Sequence, residues 1–154
     1  MILMMRVDYR LLHGQIVYSW VRHLNADCIL IANDAIVNDS VNKMAMRAAK
    51  PEGTKLVIKD IQNSITAINS GVTDKYRLFV IVGCVADAYK LAKACPAIKK
   101  INLGNVIGQP DYRQINKTFS VSGEEEGMLN ELLDAGDEIF AQSVPSMKQT
   151  DYTK

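Results

Sequence analysis

Met4-Met5-Arg6-Val7-Asp8-Tyr9-Arg10-Leu11-Leu12-His13-Gly14-Gln15 is the stretch that organises this chain. An apolar run from Ile2 to Met5 leads into two arginines and an aspartate, and then a histidine followed by glycine. Directly afterwards Ile16, Val17, Trp20, Val21 and Leu24 are spaced to share one helical face. His13 therefore sits where a strand hands over to a helix. Free backbone N–H groups and the positive end of the helix dipole favour an anion at such a junction. Arg6 and Arg10 add permanent charge and forked donors suited to phosphate. A neutral imidazole placed there has the chemistry of a phosphoryl carrier.

Working outward, strand and helix signals alternate. Ile2 to Val7 reads as a buried strand and Gln15 to Leu24 as the first helix. Cys28 to Ala32 is a continuous apolar strand, typical of a parallel sheet covered on both faces, and it ends in a turn at Asn33-Asp34. Asn38 or Asp39 can cap a second helix, with Val41, Met44, Ala45 and Ala48 as its expected buried stripe. Pro51-Glu52-Gly53 breaks it before a strand at Lys55 to Ile58. Asp60 caps a third helix that stops at Asn69-Ser70-Gly71. Leu78 to Val82 is a strand, Val85 to Ala94 a helix, and Lys100 to Leu103 a strand running into Gly104-Asn105. Tyr112 to Val121, partly alternating, is expected to be a strand toward a sheet edge, open to pairing with a second copy. Ser122 and Glu125 form a capping box ahead of a helix that buries Met128, Leu129, Leu132 and Leu133. Gly136 ends that helix, and a last strand covers Ile139 to Val144. One domain over residues 1–145 is expected, with a polar, poorly ordered tail at 146–154. The pattern predicts an α/β fold, a single-domain open, mostly parallel twisted sheet with helices on both faces. Ligands of such sheets gather at the carboxyl ends of the strands. That edge should collect the loops at Asp8–Leu12, Asn33-Asp34, Gly83-Cys84 and Gly104-Asn105.

Composition narrows the chemistry. The 154 residues carry 18 basic and 17 acidic side chains, a net charge of +1 that makes no electrostatic case for nucleic acid or a membrane surface. Cys28, Cys84 and Cys95 lie in or beside apolar segments with no metal-like spacing, and read as reduced thiols. Two histidines ten residues apart are no metal cluster. No apolar run is long enough to span a bilayer, and the five residues before Arg6 are too few for a signal peptide, so a cytoplasmic location is expected. The usual nucleotide-binding and hydrolase signatures are missing.

Each candidate has a plainer competitor. His13 could simply cap or pack. Arg6, Asp8 and Arg10 could be an ordinary ion pair at a strand's end. The functional alternative gives the arginines the phosphoryl oxygens, with Asp8 positioning an arginine or the imidazole. Four charged or titratable residues within eight positions favour that alternative. Asn33 and Asp34 form either a turn or part of the pocket, and Gly104-Asn105 either turns the chain or lets backbone approach a ligand. His23, near a helix end, and Trp20, on the apolar stripe, are structural.

Arg6-Val-Asp8-Tyr-Arg10-Leu-Leu-His13-Gly14-Gln15 resembles the R-x-D-x-R-L-x-H-G-Q signature of the IIB component of the mannose-family sugar phosphotransferase system, which includes mannose, fructose, sorbose and N-acetylgalactosamine transporters. The resemblance continues through Asn33-Asp34, Pro51-Glu52-Gly53, Ile101-Asn102-Leu103-Gly104 and the Lys117 to Glu126 segment, nearly the whole chain. It departs from the family pattern at Asn105, where a second glycine is frequent, and at Gly83-Cys84. The resemblance implies a cytoplasmic protein-N(pi)-phosphohistidine–sugar phosphotransferase. His13 would take a phosphoryl group from a phosphohistidine of a IIA protein or domain and pass it to a sugar entering through the membrane IIC and IID components. No metal or cofactor is implied, and the cysteines would be incidental. A regulatory IIB-like protein and a non-catalytic anion-binding module are the alternatives.

Overall fold

The computed structural model describes residues 1–154. Nine strands and five helices follow one another, with the five helices in the expected order. The strands are β1 (Ile2–Asp8), β2 (Cys28–Ala32), β3 (Lys55–Lys59), β4 (Leu78–Val82), β5 (Lys100–Asn105), β6 (Arg113–Asn116), β7 (Phe119–Val121), β8 (Glu138–Ala141) and β9 (Thr150–Asp151). The helices are α1 (Gly14–Leu24), α2 (Ser40–Ala49), α3 (Ile61–Asn69), α4 (Val85–Ala94) and α5 (Gly123–Asp134), with one 3-10 turn at Ile36–Asn38 before α2.

Seven strands form one sheet in the order β3-β2-β4-β1-β5-β8-β9, parallel except for β9. β2 and β4 are apolar along their length, and β1 is apolar apart from Arg6 and Asp8, because both faces are covered. Alternate side chains feed two cores. Met4, Ile29, Ile31, Phe79 and Ile81 pack with Val17, Trp20 and Val21 of α1 on one face. Met5, Val7, Leu30, Val80 and Val82 pack with α3, α4 and α5 on the other. β1 and its neighbour β4 thus lead into helices on opposite faces. The crevice outside their carboxyl ends is the switch point at which such sheets bind ligands. The loop bearing His13 lies there.

Local signals hold at several ends. Asp39 and Asp60 accept the N–H groups of Asn42 and Asn63 to cap α2 and α3. Ser122 and Glu125 complete a capping box on α5. Gly136, at φ +97°, ends α5 in the left-handed conformation.

Three expectations are corrected. Tyr112 to Val121 is no edge strand of the main sheet. Asn116 Oδ1 accepts the Thr118 N–H at 3.0 Å, and this side-chain turn folds the segment into a separate hairpin, β6 against β7. The main sheet ends instead at β3 and β9, and this segment forms a two-stranded sheet of its own. The tail after Pro145 is not loose: β9 pairs with β8, Tyr152 is 3% exposed, and its hydroxyl donates to Asn130 Oδ1 at 2.8 Å. An aromatic body with a polar tip anchors an otherwise polar segment. Finally, Val41, Met44, Ala45 and Ala48 of α2 face outward, and no residue of that helix is buried. The helix rests on the fold through half-buried Met46. No helix is long and apolar enough to cross a membrane.

Candidate active site

β1 is central in the sheet, and its last charged residues are buried on a scaffold of neighbouring strands. Arg6 is fully buried. Its Nη1 donates to Asn102 Oδ1 at 2.7 Å and to the Gln142 carbonyl at 3.2 Å, and its Nη2 donates to Asp8 Oδ2 at 3.0 Å. Nε has no partner, and the guanidinium lies 5.8 Å from the centroid of the Trp20 ring. Burial pushes the Arg6 pKa down, opposed by the charge of Asp8.

Asp8, 1% exposed, is the hub. Besides Arg6 it accepts three bonds from Arg10, from the backbone N–H, Nε and Nη2, each at 3.0 Å. This fork fixes the Arg10 guanidinium, whose side chain keeps 22% of its surface open. Hydrogen bonding to Asp8 raises the Arg10 pKa. The chain then turns sharply. The Leu11 N–H donates to the Asp8 carbonyl at 2.9 Å, with Leu11 at φ +59°. A leucine there is disfavoured by roughly 1–2 kcal/mol. Burial of its side chain, 7% exposed, in the α1-side core opposes that strain.

His13 is exposed and is the residue from which α1 starts. Its carbonyl accepts the N–H groups of Ile16 and Val17, and its ring makes no capping bond. The ring is therefore free for chemistry. Gly14, at φ +30°, and Gln15 form the first turn, where N–H groups lack intrahelical acceptors. A phosphoryl group on His13 would meet these donors, the helix dipole and the oriented Arg10.

The candidates thus separate. Asp8, Arg10, His13, Gly14 and Gln15 occupy one loop and helix start. Arg6, expected to bind or orient the phosphoryl group, is fully buried with its Nη atoms bonded to Asn102, Gln142 and Asp8, a placement that fits the orienting alternative. Gly104 is small on account of Arg6: a Cβ there would lie 2.3 Å from Arg6 Cζ. Gly104→Ala is expected to destabilise the fold by roughly 1–3 kcal/mol, because the hydrogen-bonded guanidinium cannot yield, as urea unfolding will measure. Asn33 and Asp34 hold loops. Asn33 Oδ1 accepts the N–H groups of Ala35 and Ile36, and Asp34 Oδ1 accepts that of Ile61 at the start of α3, on the face opposite α1. Sequence reasoning gave no role to Asn102 and overlooked Gln142. The signal was a polar residue inside the apolar run Ile101-Asn102-Leu103. All three thiols are shifted up by burial, which withholds the thiolate a cysteine carrier needs.

The family described as PTS system sorbose subfamily IIB component matches residues 2–154. The chain belongs to that family. A probable phosphotransferase enzyme IIB component of Streptococcus pyogenes serotype M6 is 33% identical over 153 residues, covering 95% of this chain and 93% of the relative. The N-acetylgalactosamine-specific phosphotransferase enzyme IIB component 2 of Escherichia coli K12 is 32% identical, covering 99% and 97%. Among solved structures, the IIBSor domain of the sorbose permease from Klebsiella pneumoniae superposes with a TM-score of 0.89 at 25% identity, covering 97% of this chain and 92% of that one. This chain is accordingly a IIB component of a sugar phosphotransferase system.

Proposed function

We propose that His13 is the phosphoryl carrier of this IIB component, loaded by a phosphohistidine of a IIA protein or domain and discharged onto a sugar at the cytoplasmic face of the membrane IIC and IID components. One observation carries the reading: an exposed, unbonded histidine opens α1 three residues after an arginine that a buried carboxylate holds in a fork. The imidazole lone pair of His13 attacks phosphorus in line. The bond from phosphorus to the donor's ring nitrogen breaks, and its electron pair returns to that ring. The transition state is loose, so positioning and charge supply most of the catalysis. Arg10 and the N–H groups of Gly14 and Gln15 meet the equatorial oxygens. In the second half, a sugar hydroxyl oxygen attacks the phosphorus on His13, the bond from phosphorus to the His13 ring nitrogen breaks with its electron pair returning to the imidazole, and the hydroxyl proton passes to solvent. The sugar is drawn from the mannose, fructose, sorbose and N-acetylgalactosamine class to which the family's members are directed.

The test is a relay of phosphoenolpyruvate, enzyme I, HPr and IIA, read by intact mass and peptide mapping. An acid-labile phosphoryl group on His13 is the expected result. An unmodified His13 beside demonstrably phosphorylated IIA overturns the carrier role and leaves the anion-binding module. Arg10→Ala should slow single-turnover transfer by about 10²–10³-fold, the range for losing one fixed charge-stabilising donor. An unchanged rate removes Arg10 from the mechanism.

A further inference from the structure

Resting on the carrier reading for the identity of the sugar, we propose that the recess between the loop at residues 106–112 and the β6–β7 hairpin binds the phosphorylated sugar that the second transfer makes. The recess has a volume of about 410 Å3. Ligand sites span roughly 300–1,000 Å3. Five of the side chains lining it, Asn105, Gln109, Tyr112, Gln114 and Lys117, make no hydrogen bond to the rest of the protein. No carboxylate lines it.

Hydrogen bonds fix its walls. The Tyr112 N–H donates to the Gln109 carbonyl at 3.0 Å across Pro110-Asp111, closing a turn at the outer end of the loop. The Val106 N–H donates to the Thr118 carbonyl at 3.1 Å, and Thr118 Oγ1 donates to the Gly104 carbonyl at 2.8 Å. Gly108 lies against Ser120, since a Cβ there would be 2.0 Å from Ser120 Oγ. The recess is thus formed before a ligand arrives, which lowers the cost of binding. It also adjoins the carrier loop. Asn105 pairs with Asp8 across β5 and β1, and its carbonyl accepts the Tyr9 N–H at 3.0 Å. Val106, Tyr112 and Ser120 are shared with a smaller depression that is lined by Tyr9, the residue before Arg10.

Chemistry selects the ligand. Amides both donate and accept, as the hydroxyl groups of a sugar do, and Tyr112 adds an aromatic body with a polar tip. Lys117 is exposed and pairs with no carboxylate, a point charge suited to a phosphate group. Lys148, also unpaired, shares with Lys117 the depression on the other side of the turn at 116–118. The remaining charges nearby are tied or lie outside. Arg113 donates to Glu126 Oε1 at 2.7 Å and to the Thr153 carbonyl at 2.6 Å, Glu125 accepts the Ser122 N–H at 2.9 Å, and Asp111 does not line the recess. Such a lining disfavours a cation. A free sugar would leave Lys117 unused, and inorganic phosphate would leave the amides unused; a sugar monophosphate uses both.

The test is an NMR titration of the isotope-labelled protein with the 6-phosphates of mannose, fructose, sorbose and N-acetylgalactosamine, with the parent sugars and with inorganic phosphate. At least one sugar phosphate should give saturable shifts of the Asn105, Gln109, Gln114 and Lys117 resonances, with a Kd at least about tenfold below those of its parent sugar and of inorganic phosphate. Lys117→Met should raise that Kd by about tenfold, and so should Gln109→Ala with Gln114→Ala. All three positions are exposed, so circular dichroism, melting temperature and the rate of His13 phosphorylation should match wild type. Equal affinity for inorganic phosphate overturns the proposal in favour of a plain anion site, and tighter binding of the parent sugar assigns the recess to the acceptor instead. Shifts confined to Arg10, Gly14 and Gln15 place the ligand at the carrier loop and overturn it too, as do unchanged Kd values in both variants or no saturable shift at all. Binding needs no phosphoryl donor, so a wild type that takes no phosphate on His13 overturns the carrier reading by a separate measurement.

Discussion

His13→Ala is expected to abolish phosphoryl acceptance while leaving the fold intact. The ring is exposed and makes no hydrogen bond as a cap, so its removal takes away no packing and orphans no buried group. Substitutions of that kind stay within about 0.5 kcal/mol of wild type. Alanine keeps the backbone carbonyl that accepts from Ile16 and Val17, so α1 should start at the same place. Peptide mapping after incubation with phosphorylated IIA should find no labile phosphate anywhere in the variant, and its urea midpoint should match wild type. Persistent phosphorylation elsewhere in the chain would transfer the carrier role to another residue. Loss of the fold would instead make His13 structural.

Asp8→Ala should lose stability as well as transfer. Four hydrogen bonds end on this carboxylate, from Arg6 and three donor groups of Arg10. Without it, the fully buried guanidinium of Arg6 keeps its charge and loses its counter-ion. Breaking a buried pair in this way destabilises by about 3–5 kcal/mol, a large share of the roughly 5–15 kcal/mol that holds a domain together. The melting temperature should fall by roughly 6–20 °C at this chain length. Phosphoryl transfer should fall as well, because Arg10 loses its fork. Arg6→Met in the Asp8→Ala background should recover part of the stability, since it removes the stranded charge. It should recover none of the transfer rate. A double variant no more stable than Asp8→Ala would show that the ion pair is not the source of the loss.

These two expectations mark how far the sequence could be read. Apolar runs of five residues with turn signals announced the parallel strands, and the Ser122–Glu125 spacing announced α5, because period and caps are local properties. The His13 junction was legible for the same reason. The places of Arg6 and Gly104 were not. Both depend on β5 and on Gln142, just past β8, which lie far along the chain and meet β1 only in the folded sheet. Helical spacing on α2 correctly identified the stripe but not its direction, since periodicity does not say whether a face turns to the core or to solvent. The hairpin at β6 and β7 was hidden by a side-chain turn at Asn116, whose neighbours alternate like one strand.

The clamp on Arg6 has a consequence for how the protein is made. Arg6 and its last acceptor, the carbonyl of Gln142, are 136 residues apart in the chain. At about 5–20 residues per second, that acceptor emerges roughly 7–27 s after the arginine. Until then the nascent chain holds a cation whose burial is unsatisfied, so β1 should remain open to solvent and to chaperones throughout synthesis. The charged residues of β1 are thus translated before the far strand end that completes their clamp, and the clamp closes only once that end has been made.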